Sequence, residues 1–370
     1  MNLLLMILSL LPLWGANDDI SLVFAGDAMQ HDRQIQAARK GDTYDYTQYF
    51  QNIEGYIREA DYAVVNMECS LGGKPYKGYP CFSAPDEFPQ ALKATGFDLF
   101  LHANNHCLDR RDKGLRRTLD VLDGLDVPHI GTYRNAAERS RVIPYMENIE
   151  GLDFAFLNYT YGTNGITVQG DVVVDYINRD LIAKDIARAR QKNADMIVVC
   201  IHWGDEYRLV QNKGQEDLAQ FLIDEGVDMI IGAHPHVIQP MKIVHSDKYN
   251  KDVLLVYSLG NFVSAMRTND TRGGAMVKVK VSKNNGKPKI KSAAYRLVFV
   301  QPPLKNENFE IIPVDNPKNL RDDSKAYFNK FTENARKIFD KHNVNVGEEV
   351  PEDPKPFKFM FWEVDSLEFY

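Results

Sequence analysis

Asp27, Glu68, Asn105, His202, His234 and His236 each follow a run of apolar residues, and each can hold a metal ion. Met196-Ile197-Val198-Val199-Cys200-Ile201 leads into His202-Trp203-Gly204, and Val227-Asp228-Met229-Ile230-Ile231 leads into Gly232-Ala233-His234-Pro235-His236. Val253-Leu254-Leu255-Val256-Tyr257 leads into Ser258-Leu259-Gly260-Asn261-Phe262. Taken singly, most of these residues have ordinary explanations. An Asp after Gly forms turns, and a His beside a Trp is commonly a satisfied core residue. Glu68 is harder to dismiss, because a carboxylate behind an apolar strand costs free energy without a partner. The pair His234 and His236 is the most specific. In an extended segment, residues i and i+2 point to one side and can address adjacent metal positions.

The donor set mixes nitrogen and oxygen and lacks thiolate, which suits zinc, manganese or iron rather than calcium or a structural cysteine site. One or two divalent ions are expected. A carboxylate shared by two ions about 3.5–4 Å apart makes a hydrolytic centre that activates water to hydroxide and neutralises an anionic transition state. A histidine that is not a ligand, placed beside the ligand Asn105, is available to protonate a leaving group; His106 has that place.

Positioning these residues requires strands that end at one rim. The sequence predicts strands at Ile20–Ala25, Tyr62–Val65, Phe97–Leu101, Val127–Ile130 and Leu152–Tyr159, besides the three above. Helices are predicted over 47–60, 112–125, 178–192 (capped by Asn178) and 215–225 (stopped by Gly226). A Gly-, Pro- and Tyr-rich loop is expected from Leu71 to Pro89. From Gly273 the pattern changes to a hairpin, 275–282 and 289–300. A helix over 319–342 follows, with Tyr327, Phe331, Ala335 and Ile338 as its packing stripe, and then an aromatic, strand-like end at Phe357–Tyr370. Strands alternating with helices, then a hairpin, give an α/β layered sandwich with mixed sheets, flanking helices and a C-terminal helix-and-strand extension. The expected division is 1–16 leader, 17–301 main domain and 302–370 extension.

Composition is that of a soluble globular chain: 44% hydrophobic, 26% charged, net charge −7 over 370 residues. The acidic balance, without a basic field, argues against nucleic acid as a partner. Leu3–Trp14 is almost wholly apolar and Gly15-Ala16 offers a cleavage point. Export to a periplasm or cell surface is therefore expected, the segment being either removed or kept as an anchor. Cys69, Cys81, Cys107 and Cys200 show no zinc spacing. Export would permit Cys69–Cys81 or Cys69–Cys107 disulfides, and Cys200 sits in a core strand.

Gly26-Asp27, Asn66-Met67-Glu68, Asn104-Asn105-His106, His202-Trp203-Gly204, Gly232-Ala233-His234-Pro235-His236 and Ser258-Leu259-Gly260-Asn261-Phe262, in that order, resemble the CapA family of poly-γ-glutamate capsule biosynthesis proteins. The resemblance runs from about Ile20 to Phe262 or Val300 and implies a calcineurin-like metallophosphoesterase fold. It implies that Asp27 and His236 bind a first metal, and that Asn105, His202 and His234 bind a second. Glu68 would bridge them in place of the usual Asp. His106 would be the general acid. Trp203, Glu206, Arg208 and Asn261 would line the substrate side. One departure stands out: where the family pattern of such phosphoesterases puts a ligand His two residues after the first Asp, this chain has Met29.

The resemblance implies an exported, metal-dependent hydrolase serving an anionic polymer or phosphoester substrate, with a membrane-bound capsule synthesis complex as partner. A non-catalytic polymer-binding factor on the same fold, and a generic secreted phosphoesterase, are the alternatives. Arg110, Arg111, Arg116 and Arg117 would offer a polyanion its basic rim; as solvated helix charges they need no such role.

Overall fold

Ile20, Leu22 and Phe24 join one apolar cluster and Val23 and Ala25 another, so the opening strand, Asp19–Ala28, is buried on both faces. Tyr62 and Val64 against Ala63, Val65 and Met67 repeat this alternation in the strand Tyr62–Met67. Period-2 sorting of this kind is what a strand between two covered faces dictates. The computed structural model describes residues 19–283, 288–305 and 307–349. The leader, most of the predicted hairpin turn and the aromatic end lie outside the described residues.

Two large sheets, with two small two-stranded ones beside them, build the described residues. The first runs in the order Glu310–Pro313, Lys289–Gln301, Gly273–Ser282, Asp19–Ala28, Tyr62–Met67, Leu99–Leu101, His129–Ile130. Its central and last strands are parallel, and the three C-terminal ones are antiparallel. The second runs Ile238–Ser246, Lys251–Leu259, Met229–Ala233, Met196–His202, Leu152–Thr160, Tyr145–Ile149, with a parallel centre and antiparallel edges.

The larger apolar cluster draws on both sheets: Leu22, Phe24 and Val277 from the first, Phe156, Val198 and Leu255 from the second. Each large side chain buried there contributes about 1.5–3 kcal/mol relative to exposure. Helices Arg179–Gln191 and Lys213–Asp224 cover the second sheet with Ile182, Ile186, Leu218 and Leu222. The short helices Thr47–Phe50 and Glu54–Arg58, with Glu87–Thr95, cover the first with Tyr49, Ile57, Phe88 and Leu92. The chain is thus the mixed-sheet α/β sandwich with flanking helices that its patterning predicts. Among the described residues, no helix is long and apolar enough to cross a membrane.

Several local expectations change. The helix predicted over 47–60 is broken at Gln51–Ile53. The helix predicted from 319 begins at Lys325, and its buried stripe is Phe328, Phe331, Ala335 and Phe339. Tyr327 is exposed, with the Arg272 guanidinium 3.9 Å from its ring centre. Helices Asp32–Ala38, Glu87–Thr95 and Ala136–Val142 and strands Ile238–Ser246 and Glu310–Pro313 arise where none was predicted. In Glu87–Thr95 the misleading residue is Pro89, which the first helical turn tolerates because its N–H has no partner there. The four cysteines are all free thiols, and only Cys81 is partly exposed.

Candidate metal centre

The parallel strands of both sheets end at one rim. Asp27 lies at the end of Asp19–Ala28, Glu68 follows Tyr62–Met67, and Asn105 and His106 follow Leu99–Leu101. From the second sheet, His202 closes Met196–His202, while His234 and His236 follow Met229–Ala233. All are buried, and the two sheets meet over this cluster of donors.

The strands approach closely because glycines stand where they touch. A Cβ on Gly26 would lie 2.0 Å from the Gly260 carbonyl oxygen, and one on Gly232 2.1 Å from that of Tyr257. The segment after Ala233 is not extended, contrary to the expectation. His234 (φ 103°) and His236 (φ 58°) both take the left-handed region, at a cost of about 1–3 kcal/mol each. It is this turn, rather than strand alternation, that brings both imidazoles to one cluster.

Glu68 is the centre of the arrangement. Its Oε1 is 3.5 Å from His202 Nε2 and 3.7 Å from His236 Nε2, yet neither carboxylate oxygen has a hydrogen-bond partner. Burial, then the negative charge of Asp27, raises its carboxyl well above the usual range. Burial holds the imidazoles neutral: His202 lies well below its ordinary value and His234 is pushed down to about 3, with neighbouring imidazoles acting the same way. Neutral imidazoles and unpartnered carboxylate oxygens are the forms that bind divalent ions.

Asn105 Oδ1 lies 2.9 Å from His202 Nε2. Asp27 Oδ2 faces His236 Nδ1 at 3.1 Å and accepts from the His234 backbone N–H at 3.3 Å. Three donor groups are close enough to share an ion, with atoms within 4.8 Å of one another: Glu68–His202–His234, Asp27–Glu68–His236 and Glu206–His234–His236. His106 Nδ1 donates to Asp109 Oδ2 at 2.8 Å, and Phe82 stands edge-on to the ring with centroids 4.6 Å apart.

The residues expected on the substrate side divide. Glu206 is exposed at the cluster. Arg208 is exposed and pairs with Asp205 at 3.2 Å. Trp203 is buried, donating its indole N–H to the Tyr257 carbonyl at 2.9 Å, so it packs the core instead of lining a rim. Asn261 is also buried; its Oδ1 lies 3.1 Å from His236 Nδ1 and its amide donates to the Thr271 carbonyl, which makes it a support for His236. Met29 packs in the second apolar cluster, and its N–H donates to the Val263 carbonyl at 2.8 Å. His31 does not replace it among the donor groups.

The structure adds residues that sequence reasoning left without a role. Asn66 donates to Asp27 Oδ1 at 2.7 Å. Asp109 accepts from His106 and from the Phe82 N–H. Tyr161 lies over His234 with ring centroids 4.5 Å apart. An i, i+3 carboxylate was the available signal for Asp109; nothing local signals Tyr161.

Comparison with known proteins gives a consistent family. The sequence model described as "Bacterial capsule synthesis protein PGA_cap" matches residues 21–266. "Capsule biosynthesis protein CapA" of Bacillus anthracis is 29% identical over 72% of this chain and 65% of its own length. "PGA biosynthesis protein CapA" of Bacillus subtilis (strain 168) is 30% identical over 73% of this chain and 70% of its own. Among solved structures, the NAD nucleotidase of Haemophilus influenzae overlaps 90% of this chain and 65% of its own at TM-score 0.49 and 10% identity, too loosely to carry a conclusion.

Proposed function

This chain belongs to the bacterial capsule synthesis protein PGA_cap family, and from that we propose that it is an exported, metal-dependent hydrolase of phosphoesterase type serving synthesis or export of an anionic capsule polymer, poly-γ-glutamate. The observation that carries the metal-dependent part is Glu68. Its two oxygens are buried and unpartnered, and the charges acting on it most strongly, Asp27, Glu206 and Asp109, are all negative. An isolated buried carboxylate is too costly to keep for structure alone. A divalent cation, with neutral His202 and His234 and with His236 beside it, completes the coordination that the protein leaves open. Zinc, manganese and iron all suit the donors.

When bound, one or two such ions supply Lewis acidity and an activated nucleophile. The protein's own residues do the rest. Asn105 and Asn66 hold His202 and Asp27 in place. Asp109 orients the His106 ring through the Nδ1–H donated to it, so that Nε2 is the face turned to a leaving oxygen. Tyr161 covers the imidazoles from the solvent side.

The test is direct. The purified chain is analysed for bound metal, then assayed with Mn²⁺ or Zn²⁺ on phosphate mono- and diesters and on poly-γ-glutamate. Metal-dependent turnover that His106→Ala removes is the expected result. A folded chain that takes up no metal sinks the hydrolase reading and leaves the polymer-binding one, which Met29 favours.

A further inference from the structure

We infer that Glu206 is a metal ligand, supplying to the ion shared by Asp27, Glu68 and His236 the donor that Met29 does not provide. The inference rests on the reading that this cleft binds divalent ions. Asp27, Glu68 and His236 alone give that ion three donors, and Met29 is turned into an apolar cluster. Four protein donors, or three plus an exchangeable position, are the usual requirement for tight binding. Three donors leave a fourth protein position open, and Met29 does not fill it.

Glu206 is placed to be that donor. Its carboxylate lies with ligand atoms of His234 and His236 inside 4.8 Å, and His236 is common to this group and to the one with Asp27 and Glu68. Two donors on opposite sides of one ion are about 4.2 Å apart when each bond is about 2.1 Å. The ligand atoms of this group already lie within 4.8 Å of one another, near that span, and Glu206 is exposed. A second observation points the same way: His234 Nδ1 is buried and has no hydrogen-bond partner.

The loop that carries Glu206 is fastened to the histidine turn. The Trp203 N–H donates to the Ala233 carbonyl at 3.1 Å, and the Tyr207 N–H donates to the Pro235 carbonyl at 2.8 Å. The bond from Tyr207 holds Glu206 beside His234 and His236 whether or not an ion is present. Charge supports the same role. A free carboxylate at the mouth of the cleft repels any anionic substrate, whereas one bound to a cation has that charge offset.

The experiment is titration of the full chain, stripped of metal by chelation, with Mn²⁺, followed by calorimetry and by the Mn²⁺ paramagnetic resonance signal. The native chain is expected to take two ions and to give the spin-coupled signal of a close pair. Glu206→Gln should weaken one ion at least tenfold, leave the other unchanged and abolish the coupled signal. Asp205→Asn, which removes a neighbouring exposed acid, should titrate as native. Native behaviour of Glu206→Gln, or equal losses in Asp205→Asn, overturns the ligand assignment while leaving the metal centre standing. A folded native chain that binds no Mn²⁺ instead brings down the metal reading itself, and this inference with it.

Discussion

The first sheet brings oxygen to the cleft and the second brings nitrogen. Asp27, Glu68 and Asn105 leave strands of the first sheet, while His202, His234 and His236 leave strands of the second. The two halves respond to burial in opposite directions: the Glu68 carboxyl is raised, and the His202 and His234 imidazoles are lowered. Both shifts have the same first cause, loss of water, which disfavours whichever form is charged. The halves are therefore unequal partners for a cation. The imidazoles are ready ligands across the neutral range; the carboxylate becomes one only when a cation displaces its proton.

Glu68→Gln breaks the comparison at its centre and carries the largest expected effect. It removes the anion while keeping the shape, and metal affinity should fall roughly 10²–10³-fold, the range for deleting one partner of a buried charge pair. The melting temperature of the metal-free chain should not fall, because the lost charge has no partner there. Calorimetric metal titration and thermal melts in chelator measure both. A drop in metal-free stability would mean that Glu68 is held by something other than an awaited cation.

The opposite shifts also predict opposite pH limbs for the metal-free chain. Histidines whose folded values are depressed contribute stability that is present above their unfolded value near 6.5 and is lost as pH falls below it toward about 3. His234 alone should cost about 2 kcal/mol between pH 6.5 and 5. Glu68, raised, contributes stability that is present below its unfolded value of 4.5 and is lost as pH climbs through its folded one. Urea melts in chelator from pH 4 to 8 should show both limbs in the native chain, and a weaker alkaline limb in Glu68→Gln, where Asp175, raised to about 6, still contributes. Metal binding should release more protons in the native chain than in that variant wherever Glu68 is protonated, measurable in buffers of different ionisation enthalpy.

How much of this was legible in the sequence follows from the same division. The strand ends were readable because each apolar run stops at a polar residue, often beside glycine, and period and run length survive without tertiary context. The helix capped at Asn178 was readable for a local reason too: its side chain accepts from the Leu181 N–H at 3.0 Å. Trp203 was misread because Gly232 is not adjacent in sequence. Only the absence of a Cβ there, which would lie 2.6 Å from the indole nitrogen, lets the ring turn inward. The His234–His236 pair was found for a reason that does not hold, since strand alternation ends at Ala233 and left-handed backbone does the placing. Asp109 and Tyr161 act across loops, and no periodicity encodes that.

A smaller effect separates proton delivery from metal binding. Asp109 belongs to the oxygen half but touches only His106 and the Phe82 N–H. If the chain is a hydrolase, His106→Ala should lower kcat about 10²–10⁴-fold, the range for losing a general acid. Asp109→Asn should cost less, about tenfold, because the imidazole loses the acceptor that fixes its tautomer. Metal stoichiometry should stay native in both variants. Loss of metal in Asp109→Asn would make it a support of the centre rather than of the acid.

The smallest expected effects lie in the two asparagines behind the ligands, one for each half. Asn66 donates to Asp27, which spends part of the carboxylate's basicity while fixing its direction. Asn261 Oδ1 accepts from the His236 Nδ1–H, shared with Asp27, which leaves Nε2 as the metal-facing atom and makes it a better donor. Asn261→Ala should therefore weaken the ion near His236 by about tenfold, the low end for such supports. Asn66→Ala should weaken it less, because a freed carboxylate gains basicity as it loses orientation. The two are compared by Mn²⁺ calorimetry on chains checked for native melting. If Asn66→Ala proves the more damaging, direction outweighs basicity in the oxygen half, and that half is held as rigidly as the imidazoles facing it.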